Sequence, residues 1–379
     1  MHPESTLHDP WRDWLAAALR GERPAWNGDA LGTIKDLLES AENEGVAALV
    51  DASLHGPDTA WALPRALDEG FATAAREQIA VELMRRVELT RVIQSLAAAD
   101  IPVLVLKGGA LAYSIYPAAH LRPRIDIDVL VPDADAAERS KPALAALGYV
   151  ASQVPTTAAI GYELILRREA PGGYVHWIDV HWALANQALY AGVFGFDELA
   201  AEATALPALG EAACGLHPVH ALLHACMHRV ANLPAGDGDR LIWLYDIDLL
   251  ARRFAPSDFT RLLDLAQQRG VAGTCRDGLR QTMDAFATPV PAGLLEALER
   301  SARSERFDIR KARSRWYQEW HNLRALPMRK RLAWTREKLF PDPSYMRQRY
   351  LVHSGWALLL AYVRRFGTGL RMLLRGRAL

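Results

Sequence analysis

Asp126 and Asp128 stand two residues apart in Arg124-Ile-Asp-Ile-Asp-Val-Leu-Val131, with Ile and Val between and after them. Side chains at i and i+2 leave the same face of a β-strand, so both carboxylates project together while the other face stays apolar. A third acid, Asp179, occupies Tyr174-Val-His-Trp-Ile-Asp-Val-His-Trp182, which alternates in the same way. Three carboxylates in one place repel, and hard divalent cations with oxygen ligands are the usual remedy. Upstream, Leu106-Lys-Gly-Gly109 is separated from Asp126 by 16 residues. A strand feeding a Gly-Gly turn at a helix start leaves backbone N–H groups open to phosphate oxygens, because glycine has no Cβ to block the approach. Two Mg²⁺ ions held by the acids would bridge a triphosphate and activate an attacking hydroxyl. Singly, Gly-Gly is an ordinary turn and Asp-x-Asp a solvated strand edge; their order and spacing, with Asp179 behind, favour metal and nucleotide chemistry.

The elements that must position these groups are legible around them. Ile101-Pro-Val-Leu-Val-Leu106 is a short apolar run that suits a buried strand, and 110–116 has helical spacing. Residues 124–131 form the two-acid strand, and Asp133 caps a helix expected over 133–147. Residues 162–168 and 174–182, joined by Pro171-Gly-Gly, read as an antiparallel hairpin. Before this stretch the chain reads as helical: Trp11, Trp14, Leu15, Ala18 and Leu19 repeat at helix spacing, as do Leu31, Ile34, Leu37 and Leu38. Gly56-Pro57 then separates a long helix over 63–98. From about 184 onward the pattern is helical again, with candidates at 218–230, 240–254, 256–269, 271–285 and 291–301. Breaks fall at Pro327 and Phe340-Pro-Asp-Pro343. The expected fold is α+β: an N-terminal helical region (1–99), a small mixed-sheet core (100–185), a helical substrate-side region (186–300) and a basic helical C-terminal region (301–379).

The 379 residues carry 44 Lys+Arg and 44 Asp+Glu, a net charge of zero that hides an imbalance. Residues 301–379 hold 19 basic and 5 acidic side chains, leaving 25 and 39 for residues 1–300. Half the residues are apolar, which disfavours disorder. Cys214, Cys226 and Cys275 make neither a disulfide framework nor a CxxC pair, and no export signal or transmembrane segment is expected, so the reading is cytoplasmic.

Leu106-Lys-Gly-Gly, Tyr116-Pro, Leu121-Arg-Pro, Asp126-Ile-Asp-Val-Leu-Val and Ile178-Asp-Val-His-Trp182 together resemble the uncharacterised bacterial nucleotidyltransferases of the DNA polymerase β-like superfamily. The resemblance is specific over about 100–185. It extends loosely to His224 and His228, to Arg240-Leu-Ile-Trp-Leu-Tyr-Asp246, and to 340–350. It implies that Gly108 and Gly109 hold the β- and γ-phosphates and that Asp126 and Asp128 hold metals. Asp179 would hold one metal and help to deprotonate the acceptor. Lys107 and Arg124 would flank the phosphates; a surface lysine at a strand end is the other reading of Lys107, and Arg122 is equally ambiguous. The activity implied is Mg²⁺-dependent transfer of a nucleoside monophosphate from an NTP, with ATP the expected donor, to a hydroxyl or phosphate of a small molecule or peptide. The alternatives are a protein-AMPylating or RNA-end-modifying transferase, or a non-catalytic nucleotide-binding regulator.

Other residues leave choices open. His181 shares the strand face of Asp179 and either touches nucleotide or substrate or makes a structural hydrogen bond. His220, His224 and His228 recur along one helix face, as zinc ligands or as buried histidines lining a cleft beside the core, with His224 on the substrate side. Asp246 and Asp248 lie in an apolar helix, where a structural ion pair suits Asp248. Asp246 is either paired or substrate-facing. The basic tail has three readings: packing on the acidic body; a nucleic-acid surface through Arg313, Arg315, Trp316, Trp320, Arg324, Arg329, Lys330 and Arg331; or an anionic membrane surface contacted by Trp356, Leu358, Leu359, Tyr362, Val363, Arg364, Arg365 and Phe366. Nucleic acid is not the favoured partner.

Overall fold

A computed structural model describes residues 10–26, 28, 32–55, 61, 63–152 and 161–374. Leu31 and the Gly56-Pro57 break lie outside the described residues. Four helices come first: α1 (Pro10–Leu19), α2 (Ile34–Glu44), α3 (Ala47–Leu54) and the 34-residue α4 (Arg65–Ala98). Strand β1 (Leu104–Val105) leads into α5 (Lys107–Ser114), then β2 (Ile127–Leu130) and α6 (Ala134–Ala146). Asp133 caps α6 as its sequence suggested, accepting from the Ala136 N–H at 2.7 Å.

The strands β3 (Val150–Ala151), β4 (Glu163–Glu169), β5 (Val175–His181), β6 (Thr204–Ala205) and β7 (Cys214–Gly215) complete one mixed sheet in the order β3-β4-β5-β2-β1-β7-β6. The expected hairpin is β4–β5, antiparallel from Glu163↔His181 to Glu169↔Val175. Strand β2 runs parallel to β5 and antiparallel to β1. The α+β expectation stands. The reading of the chain as helical from 184 onward misses β6 and β7, because two-residue strands are too short to alternate visibly. Likewise α5 opens at Lys107, three residues before its expected start, since two glycines disguise a first helical turn.

Alternation sorts the sheet into two faces. Val103, Val105, Ile127, Val129, Ile178 and Val180 are buried with Leu89, Val92, Ile93 and Leu96 of α4 and with Ala136, Ala137 and Leu144 of α6. Leu104, Leu106 and Leu130 belong instead to a larger apolar cluster shared with the helices. Those helices include α1 to α3, the start of α4, and α7 (Pro218–Asn232), α8 (Leu241–Arg252), α9 (Pro256–Gln268), α10 (Ala272–Phe286) and α11 (Leu294–Ala302). The acids therefore leave the sheet on the side the helical region covers. The tail forms α12 (Arg315–Ala325), α13 (Met328–Leu339), α14 (Pro343–Tyr350) and α15 (Gly355–Leu374), broken near Pro327 and Phe340-Pro-Asp-Pro343 as expected.

Part of the tail docks on the body. Arg313 bonds Asp239, the Gln318 amide donates to the Val230 carbonyl at 2.6 Å, and the Leu189 N–H donates to Asn322 at 2.9 Å. The opposite charges of tail and body thus meet directly at Arg313.

Candidate metal and phosphate site

Parallel pairing in register sets Asp128 of β2 beside Asp179 of β5, and Leu130 beside His181. Asp128, Asp179 and His181 each present a ligand atom, all within 4.8 Å of one another. Among the described residues they are the group of three metal-capable side chains brought so close. The sequence placed Asp126 in this cluster and left His181 undecided between substrate and structure. Asp126 lies just before β2, partly exposed and outside the close trio, while His181 is buried and its Nε2 meets Asp128 Oδ1 at 2.8 Å. Its Nδ1 is buried without a hydrogen-bond partner, 3.5 Å from the Glu163 carboxylate. Two carboxylates and an imidazole form a donor set that divalent ions such as Mg²⁺, Mn²⁺ or Zn²⁺ accept.

Lys107 reaches into the same place. Its backbone is left-handed (φ 49°), a costly state for a residue with a Cβ, and this turns the chain abruptly from β1 into α5. Its ammonium then donates to Asp128 Oδ1 at 2.6 Å. Behind it, Gly108 and Gly109 occupy the first turn of α5, where backbone N–H groups have no partner within the helix. Both glycines are close-packed: a Cβ on Gly108 would stand 3.0 Å from Arg122 Nη1, and one on Gly109 would stand 3.0 Å from Val105 Cγ1.

The charges respond to one another. Burial opposes ionisation of Asp128, but Lys107 and His181 outweigh it and hold this carboxyl well below the usual carboxylate range. Burial also opposes the Lys107 cation, and the Asp128 and Asp126 carboxylates overcome it, pushing Lys107 up to about 12. Asp179 goes the other way: burial, then the charges of Asp128, Asp126 and Glu163, raise it to about 8. Asp126 is raised by Asp128 and by burial. The cluster is thus short of positive charge even with Lys107 in place, as a cation site should be.

A cavity of about 580 Å³ opens over this face, lined by Lys107, Gly108, Asp126 and Asp128 on one side and His224, His228, Trp243 and Asp246 on the other. His224 is pushed down to about 3 by burial and the nearby Lys107, and burial takes His228 well below its ordinary value. Both are neutral at physiological pH. Asp246 is in a buried network: Arg122 Nε and Nη2 hold its two oxygens at 2.7 Å each, and the Tyr116 hydroxyl donates to it at 2.7 Å. Asp248 makes the structural contacts expected of it, with Arg252 at 2.8 Å and Thr288 at 2.7 Å. Arg124 lines the cavity too, but its terminal nitrogens hold Glu82 of α4 at 2.7 and 3.1 Å. The Tyr113 hydroxyl shares that carboxylate, and the Arg124 Nε is buried without a partner.

A family model described as "Uncharacterised nucleotidyltransferase" matches residues 32–325. The chain belongs to that family. No curated protein matches it. The nucleotidyltransferase match spans the whole sheet, the acidic cluster, the glycine turn and the helices facing them, and it ends before α13. Nucleotidyl transfer is therefore the general role of the family to which this site belongs. Sequence reasoning missed Glu82, Glu163 and Trp243, which adjoin the site. Tyr116 and Asp246 are 130 residues apart, so no local spacing could have announced their bond.

Proposed function

We propose that the chain transfers a nucleoside monophosphate from an NTP, ATP being the expected donor, to a hydroxyl or phosphate acceptor. Support comes chiefly from the in-register pairing of Asp128 with Asp179, which sets two carboxylates and His181 beside a glycine-bearing helix start. Asp128, Asp179 and His181, with Asp126 at the rim, would hold Mg²⁺; when bound, the metal supplies positive charge to the triphosphate and lowers the acceptor's pKa. The N–H groups of Gly108 and Gly109 receive phosphate oxygens at the positive end of α5. Lys107, already at the acidic cluster, moves its charge from Asp128 to the phosphates, and Arg124, held by Glu82, adds positive charge to the cavity wall. Asp179, ionised when a metal is held beside it, is the group that takes the acceptor's proton. The acceptor oxygen bonds to the α-phosphorus, the bond to the bridging oxygen breaks, and pyrophosphate leaves with the electron pair.

The acceptor is a small molecule or peptide. A cavity of about 580 Å³ between sheet and helices is of small-molecule size. His224, His228, Trp243 and the network of Asp246 form its far wall and select the acceptor. The close trio differs from the one the resemblance implies, with His181 beside Asp128 and Asp179 and Asp126 at the rim.

Incubation with labelled ATP, GTP, CTP or UTP, Mg²⁺ and a broad acceptor panel tests the reading. Pyrophosphate release that Asp128→Ala and Asp179→Ala abolish is expected. No pyrophosphate with any pair, together with metal-dependent nucleotide binding unchanged in those variants, rejects it.

A further inference from the structure

The last three helices expose an apolar surface that the family match does not include, since the match ends at residue 325. On α15, Trp356 is 80% exposed, Leu359 53%, Leu360 66% and Val363 63%. These positions recur at three- and four-residue intervals, so they form one stripe along the helix. The spacing continues in the sequence through Phe366, Leu370 and Leu374. The opposite side of α15 rests mainly on α14, with Ala361 buried and the Tyr362 hydroxyl donating to the Pro341 carbonyl. Helix α13 repeats the pattern, with Met328, Leu332 and Leu339 exposed on one side, and Phe340 and Leu351 add exposed apolar groups at the two turns. A continuous apolar stripe of this kind along one exposed helix marks a contact site.

Charge identifies the partner. Residues 328–379 hold 12 Lys/Arg and 2 Asp/Glu. Arg364 and Arg365 directly follow the stripe in the sequence, and Arg329 and Lys330 are exposed on α13. A second copy of the chain would bring two such cationic tails together, which Coulomb repulsion disfavours. A nucleic acid would satisfy the arginines and the tryptophans but leave Leu359, Leu360 and Val363 in water. An anionic lipid surface satisfies both, with apolar side chains entering the acyl boundary and arginines meeting headgroups. No described helix is long and apolar enough to cross a membrane, so the geometry is in-plane.

We propose that α15 docks this protein on anionic lipid bilayers, with its Trp356–Leu359–Leu360–Val363 face inserted parallel to the surface. Co-sedimentation of the full chain with phosphatidylcholine vesicles, and with vesicles containing about 30% phosphatidylglycerol, tests this. Binding to the anionic vesicles is expected, weakening at high salt and falling about tenfold or more in Leu360→Glu/Val363→Glu. Circular dichroism and the melting temperature of that variant should match the parent, because both side chains face solvent. Equal binding to both vesicle types overturns the proposal. So does unchanged anionic binding in the variant, or a face that instead proves to hold a homodimer in light scattering or an RNA oligonucleotide in a shift assay.

Discussion

Arg122 lies directly beneath Gly108, its Nη1 3.0 Å from where a Cβ would be, while the same guanidinium holds both carboxylate oxygens of Asp246 across the cavity. The glycine turn is therefore braced from below by a side chain anchored in the helical region. Gly108→Ala must displace the arginine or the turn. We expect it to lower nucleotide affinity about tenfold or more while leaving most of the thermal stability, as measured by titration calorimetry and a melting curve. Unchanged affinity would mean that the turn does not meet phosphate.

Asp246→Asn tests the brace itself. Removing one partner of a fully buried ion pair leaves the other charge uncompensated, a loss of about 3–5 kcal/mol. Urea denaturation should show a drop of that order. Because the Tyr116 hydroxyl loses its carboxylate too, Tyr116→Phe should cost less when combined with Asp246→Asn than it does in the parent.

Lys107 and an incoming metal compete for Asp128. With the ammonium 2.6 Å from Oδ1, cation binding to the bare protein must displace it. Lys107→Met should then bind Mn²⁺ more tightly than the parent in the absence of nucleotide, and bind NTP more weakly in its presence. Electron paramagnetic resonance of free Mn²⁺ reads the first effect and calorimetry the second. A parallel loss of both affinities would count against the competition.

Asp179 predicts a pH signature. Its carboxyl is raised to about 8 by burial and by Asp128, Asp126 and Glu163, against an ordinary 3.8. The folded chain therefore binds this proton more tightly than the unfolded one, so the associated stability is present at low pH and lost as pH rises towards 8. In chelator, Asp179→Asn should match the parent near pH 4 and become progressively more stable than it up to about pH 8. Added Mg²⁺ should close that gap at the alkaline end by neutralising the ionised carboxylate. A difference in melting temperature that does not vary with pH would contradict the assignment.

The sequence made the strands of the acids, the β4–β5 hairpin, the cap at Asp133 and most helices visible, because each rests on local periodicity or a short-range signal. Asp128 and Asp179 were legible as partners in chemistry, but their register across a parallel pair was not, since it depends on an intervening crossover. His181 shows the limit clearly: two residues from Asp179 it shares a face by simple alternation, yet only the pairing with β2 brings its imidazole to Asp128. The bonds of Asp246, by contrast, join segments more than 120 residues apart. Strands β6 and β7 stayed hidden because two residues carry no pattern.

Val105 of β1 pairs with Gly215 of β7, a strand supplied by sequence far beyond the acidic cluster. Excising 100–185 as a minimal unit would strip β1 of that neighbour and leave it two residues long at an open edge. The same cut would discard the carboxylate beneath which Arg122 is buried. The sheet and the helical region are thus not modules to be traded separately: grafting either onto another scaffold would have to carry the other along.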